Sequence, residues 1–152
     1  MRLKLFIFLV FSYVIAFSAN LIPSFKHPDS TMNIFNLFAT ALFLIALLIL
    51  IKEVSYSSKS KSGLKILFLF GSISGLIVYS TKKLESTMIN YTILDIIASI
   101  QYPFYLIYTT PLFGINYLLN LNYETFSLLM TPLYVIAFIQ IMSFKKVDIR
   151  KV

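Results

Sequence analysis

The sequence predicts an all-α, polytopic integral membrane protein. The expected architecture is a four-helix transmembrane bundle with an outer-face segment that lies in the membrane interface or dips into it as a re-entrant helical pair. Three observations predict it. Of 152 residues, 59% are hydrophobic and 12% charged, against roughly 45–50% and 25% in an ordinary soluble domain. A globule this small leaves too much surface facing water to hide such an apolar load. Four apolar runs approach the ~20 residues needed to cross a bilayer. Finally, the basic residues collect on one side when those four runs cross, as the positive-inside rule requires.

The first span covers about 5–22 and follows Arg2 and Lys4. A basic start before an apolar core, with Ala16-Phe17-Ser18 as small residues near its end, also fits a cleavable secretory signal. We read it as an uncleaved span; the chain emerges outside near Lys26 in either case. The second span, about 33–51, is the most uniformly apolar and ends in Lys52-Glu53. Residues 55–63 are rich in serine, lysine and glycine and read as a flexible loop. The third span, about 64–80, is short and finishes at Thr81-Lys82-Lys83. The last, about 126–144, leads into a tail bearing Lys145, Lys146, Arg150 and Lys151.

Between the third and last runs, residues 86–125 are apolar enough to cross but are interrupted by Pro103, Pro111 and Gly114. Charge decides between four spans and the alternative of five. Without a crossing here, ten basic residues lie inside and Lys26, Lys82 and Lys83 outside; with one, six lie inside and seven outside. Six of the ten tyrosines, at 91, 102, 105, 108, 117 and 123, fall in this stretch, and tyrosine favours the interface because its ring is apolar and its hydroxyl wet. The segment at about 88–121 is therefore expected at the outer face. In its re-entrant form it has helices at 88–101 and 112–121 and a break at Tyr102-Pro103. Residues 1–152 form one transmembrane domain, placed in the cell membrane with both termini cytoplasmic. The bias toward isoleucine, lysine, asparagine and aromatics suits an AT-rich bacterial genome.

Candidate functional residues are few. Asn33, Asn36 and Thr40 recur at helical spacing on one face of the second span, where they suit a ligand or hydrogen bonds to a neighbouring helix. Asp95 lies in the apolar run Ile93-Leu94-Asp95-Ile96-Ile97; an intramembrane acid is a functional candidate, although with Thr92, Ser99 and Tyr102 it also forms a stripe that an interfacial helix would turn to water. His27, Asp29 and Glu124 are further outer-side acid/base groups, near Lys26, Lys82, Lys83 and Glu85. They match no metal-ligand or catalytic spacing, and Lys26-His27-Pro28-Asp29 reads as a turn. Gly71 and Gly75 form a small-xxx-small face. Ser12, Ala16 and Ala19 form a comparable one, so contact between the first and third helices, or docking of a partner, is expected. Pro132 removes a donor and frees the Leu128 carbonyl, which Ser127 or Thr131 is placed to serve.

Cysteine is absent, which excludes disulfides, thiolate metal sites and cysteine nucleophiles. No cofactor or metal is expected. There is no glycine-rich phosphate loop, and the basic clusters suit orientation and lipid headgroups rather than nucleic acid. With no internal repeat visible, the duplicated halves of many transporters find no support. These features predict a non-enzymatic membrane protein acting by association, as an accessory or interaction subunit or a small protective factor. Its partners would be membrane lipids and other membrane proteins or further copies of itself. The alternatives are a small-solute transporter or channel component lined by Asp95, Asn33 and Asn36, and an enzyme with an outer-face acid/base site.

Overall fold

An apolar chain segment without water to bind must satisfy its backbone N–H and C=O groups within itself, and a helix does so. The computed structural model describes residues 3–56, 62–88 and 92–143, and every regular element among them is helical. Four helices are long and apolar enough to cross a membrane: α1 (Leu3–Lys26), α2 (Ile34–Tyr56), α3 (Ser62–Met88) and a late helix, Tyr123–Ser143. Both α1 and α3 run several residues past the apolar limits at 22 and 80. The proline at 23 and the charged pair at 82 and 83 do not end them. The predicted loop over 55–63 lies largely outside the described residues, as does the basic tail.

Between α3 and the late helix come α4 (Thr92–Ala98), α5 (Gln101–Phe104), a π-helical turn over Tyr105–Thr109, a 3₁₀ turn over Thr110–Ile115 and α6 (Asn116–Leu119). The late helix is therefore α7. The break expected at Tyr102-Pro103 falls three residues earlier, at Ser99-Ile100 after Ala98. Pro103 sits in the first turn of α5, where a missing N–H costs nothing. After α6, Asn120 adopts a left-handed conformation with φ 48°, one that asparagine tolerates. The Asn116 side chain clamps the turn, accepting from the Leu121 N–H and donating to its carbonyl, both at 2.8 Å.

The four long helices associate as two antiparallel pairs. Asn20 meets Thr40 and Tyr13 meets Phe43 in α1–α2, while Gly75 faces Ser127 and Gly71 faces Tyr134 in α3–α7. The small residues are used as close-approach faces, but not against each other as expected. A β-carbon on Gly75 would collide with the Ser127 carbonyl and the Thr131 hydroxyl, and one on Gly71 with the Tyr134 ring. Ser12 and Ala16, continued by Asn20 and Ser24 at four-residue intervals, are buried along α1, which packs on α2 and on the 3₁₀ turn. A small-residue face requires a close neighbour without specifying which. In α3 that neighbour includes the bulky Tyr134 ring, which only glycine leaves room for. α7 continues through Pro132; the Ser127 and Thr131 hydroxyls bond the carbonyls of Tyr123 and Ser127, not the Leu128 carbonyl that Pro132 frees.

Residues 101–119 form a hairpin wedged between the two pairs. It begins at the end of the bundle that holds Lys26, Ile34, Lys82 and Tyr123, called the upper end here, where the Thr81 hydroxyl donates to Gln101 Oε1 at 3.0 Å. It then descends until the carbonyls of Ile107 and Tyr108 meet the hydroxyls of Tyr13 and Tyr134. Those tyrosines stand thirteen residues below Lys26 and eleven below Tyr123, or ~20 Å and ~16 Å at the helical rise, so the tip reaches the middle of the bundle. Its return arm is buried from Thr109 to Gly114.

Candidate functional site

Proline at 111 has no N–H to offer the carbonyl of Ile107 four residues earlier, and the π and 3₁₀ turns around it depart from the regular i→i−4 ladder. In an apolar interior each bare carbonyl would cost several kcal/mol. Side chains from three long helices supply the donors. Tyr13 of α1 donates to Ile107 O at 3.1 Å and Tyr134 of α7 to Tyr108 O at 2.6 Å. Pro111 O accepts from the Thr40 hydroxyl at 3.0 Å and from Asn20 Nδ2 at 3.3 Å, and Asn20 Nδ2 also donates to Thr40 Oγ1 at 2.8 Å. In the other direction the hairpin's Tyr105 donates to Ser24 O at 2.8 Å, and Thr110 Oγ1 lies 3.4 Å from Ser24 Oγ.

Asn20, Thr40 and Thr110 are fully buried, so the core of this polar collar is shut off from solvent, while the Tyr13–Ile107 bond at the hairpin tip is exposed. One acceptor within it, Asn20 Oδ1, is buried without a hydrogen-bond partner among the described residues. Gly114 permits the closest approach, since a β-carbon there would strike the carbonyl of Asn36 and the hydroxyl of Thr40. Aromatic rings complete the seat. Phe113 lies edge-on to Phe126 at 5.1 Å, His27 at 5.7 Å and Tyr105 at 6.4 Å, and Tyr105 meets Tyr123 at 5.4 Å. Where the hairpin leaves the upper end, Ser24, Phe25, Gln101, Tyr102, Tyr105 and Tyr123 enclose a pocket of about 130 Å³, room for a few water-sized groups beside hydroxyl and amide partners.

The residues singled out in the sequence fall into three groups. Asn36 and Thr40 belong to the collar, Asn36 donating from Nδ2 to Ala19 O at 2.8 Å. Asn33 does not. It caps α2, its Oδ1 accepting from the N–H groups of Phe35 and Asn36 at 2.9 and 3.3 Å while its own N–H reaches Asn36 Oδ1 at 3.0 Å, as asparagine at a helix start is suited to do. The acid/base group forms no constellation: His27 packs on Phe113, Asp29 is exposed, and Glu124 is half-buried in the first turn of α7, where a negative charge complements the helix dipole. Among the described residues no set of three or more histidine or acidic side chains could hold a metal ion. Glu85 pairs instead with Lys82, which also lies over the Tyr123 ring at 5.7 Å. Asp95 belongs to α4, and its side chain lies outside the described residues.

Sequence reasoning missed Tyr13, Asn20, Ser24, Tyr105, Thr110 and Tyr134 as parts of the site. One signal was available. Ser12, Ala16, Asn20 and Ser24 repeat every four residues through an apolar helix, and an amide so placed needs an internal partner.

The fold and collar together define an all-helical protein with four span-length helices and a buried hairpin between two helix pairs. No known protein family, curated protein or solved structure matches the chain.

Proposed function

We propose that this chain is a multi-pass protein of the cell membrane that works by association, as an accessory or interaction subunit of a larger assembly or as a small protective factor, without catalysis. One observation carries the reading. The buried side chains of Asn20, Thr40 and Tyr134 donate to the hairpin's carbonyls, while large apolar residues on all four long helices, such as Phe11, Phe38, Leu76 and Ile136, stay exposed. What the protein presents laterally is helix surface, for lipids and for other membrane helices. Purification in mild detergent with identification of co-eluting proteins is expected to recover a stoichiometric partner or a stable oligomer. A chain always found alone as a monomer would overturn the reading. A second reading, conduction or transport of a small solute, is favoured by the irregular hairpin at mid-bundle depth, a device that discontinuous transporter helices share. Steady flux from such a monomer in proteoliposomes would decide for it.

The proposed topology has four spans, both termini and residues 52–63 cytoplasmic, and the hairpin opening outward. It rests on the charge bias, since moving the tail outside would place four basic residues on the disfavoured side. Single cysteines at Ser58, Lys83, Asn120 and Lys151 of this cysteine-free chain can be treated in intact cells with an impermeant maleimide. Labelling is expected at 83 and 120, with protection at 58 and 151. The reverse at 120 and 151 would establish five spans.

A further inference from the structure

We infer that the gap beneath the hairpin is a binding site for an acyl chain of an anionic phospholipid from the leaflet at the lower end of the bundle. The inference rests on the membrane reading above, not on association. The hairpin holds the two helix pairs apart at mid-height, and two apolar clefts lie below it. One, of about 350 Å³, is bounded by Leu9 and Tyr13 of α1, Phe43 of α2, Leu67 of α3 and the tip residues Ile107 and Tyr108. The other, of about 470 Å³, lies between α2 and α7, with Leu44, Leu133 and Ile115 in its walls. Leu47 borders both, so they flank one gap between the pairs.

Three features select the occupant. The walls are almost wholly aliphatic and aromatic, so water finds few partners there, and both clefts open to the surroundings, so that a hydrocarbon chain can enter. The depth suits a lipid tail: from Tyr13 to the start of α1 at Leu3 is ten residues, ~15 Å at the helical rise, about half of a ~30 Å hydrocarbon core and so one leaflet. The charge at the lower end suits an anionic headgroup. Lys4, Lys52 and Lys65 occupy the end turns of α1, α2 and α3, the first two exposed, with Glu53 the one carboxylate at that end among the described residues. Lysines at that level attract anionic lipid, and their long stems let the ammonium groups reach the interface.

The chain has no tryptophan, so a single introduced indole reports locally. Leu9→Trp places it in the first cleft, and Phe11→Trp places it at nearly the same depth on the exposed outer face. Each variant, purified in detergent, is titrated with phospholipids brominated on their acyl chains, phosphatidylglycerol in one series and phosphatidylcholine in another. Leu9→Trp is expected to be quenched saturably at about one lipid per chain, and at a several-fold lower mole fraction of phosphatidylglycerol. Phe11→Trp should follow the bulk mole fraction of either lipid without saturating. Parallel curves for the two probes would overturn the site, as would protection of Leu9→Trp together with a dimeric size, which would mean a second copy fills the gap. Saturable quenching without preference between headgroups would overturn the anionic assignment. Absence of quenching at both probes would instead count against the membrane reading itself. Leu67→Trp, in the same cleft, serves if Leu9→Trp fails to fold.

Discussion

Replacing Gly114 with valine is expected to expel the hairpin from its seat and lower the thermal midpoint in detergent by about 10 °C. The new β-carbon would fall on the carbonyl of Asn36 and the Thr40 hydroxyl. A main-chain carbonyl of a packed helix cannot rotate away, so the hairpin or α2 must shift. Overpacking of this kind costs ~1–3 kcal/mol, and a displaced hairpin also loses the donors that Thr40 and Asn20 direct at Pro111. At ~3 kcal/mol in total, a chain of this size should lose roughly 6–12 °C. Gly114→Ala already carries the offending carbon and should show much of the effect. Gly63 is the control, because nothing lies within 4 Å of a β-carbon there; Gly63→Ala should leave the midpoint unchanged or raise it slightly through helix propensity. Circular dichroism melts of the three variants in one detergent check this. Equal midpoints for Gly114→Val and the unaltered chain would refute the close packing of hairpin on α2.

Gly75→Val is expected to separate α3 from α7, at a comparable cost of ~3 kcal/mol. In lipid or detergent there is no hydrophobic drive between helices, and close backbone approach supplies much of the attraction. The obstruction at Gly75 is again main chain, the Ser127 carbonyl, together with the Thr131 hydroxyl. At Gly71 it is the Tyr134 ring, a buried side chain whose displacement breaks its bond to Tyr108 O but leaves the backbones of α3 and α7 in place. Gly71→Ala should therefore be the milder of the two at equal added volume, when each is compared with Gly75→Ala. If Gly71→Ala proves the more damaging, Tyr134 is held more rigidly than its single hydroxyl bond to Tyr108 O implies. Melts read at the tyrosine near-ultraviolet band follow this directly, since Tyr134 packs on Phe68 and Tyr108.

The span-length helices were legible because each is announced by a continuous apolar run, but Asn33 was read on the polar face of the second span rather than as the cap it forms before Ile34. The partners of those helices were not legible. Gly71 and Gly75 mark a face that takes a close neighbour, but the choice of α7 over α1 depends on Tyr134 and Ser127, more than fifty residues away. The depth of the hairpin was obscured by its tyrosines. Tyr102 and Tyr117 are exposed near the upper end as interfacial tyrosines should be, whereas Tyr105 is buried and sends its hydroxyl to Ser24 O. A phenol suits the interface and an internal carbonyl equally well, so composition cannot separate the two. Asn36 and Thr40 were found as a polar face. That Thr40 would donate to the Pro111 carbonyl required knowing where a proline about seventy residues later would lie.

The wedge between the helix pairs also sets the order in which the molecule can be assembled. A chain is made from its N-terminus, and the hairpin at 101–119 emerges before α7, which carries Tyr134 and the Phe126 ring that packs on Phe113. While α7 is still being synthesised, Tyr108 O lacks its donor and the buried return arm has only two of its three walls. Full enclosure of the hairpin therefore waits for α7, and it joins residues of high sequence separation, which slows the search for native contacts. Until it happens, the nascent chain carries a proline-broken segment whose Tyr108 carbonyl still lacks the donor that Tyr134 supplies. That interval is when the chain is most exposed to proteolysis.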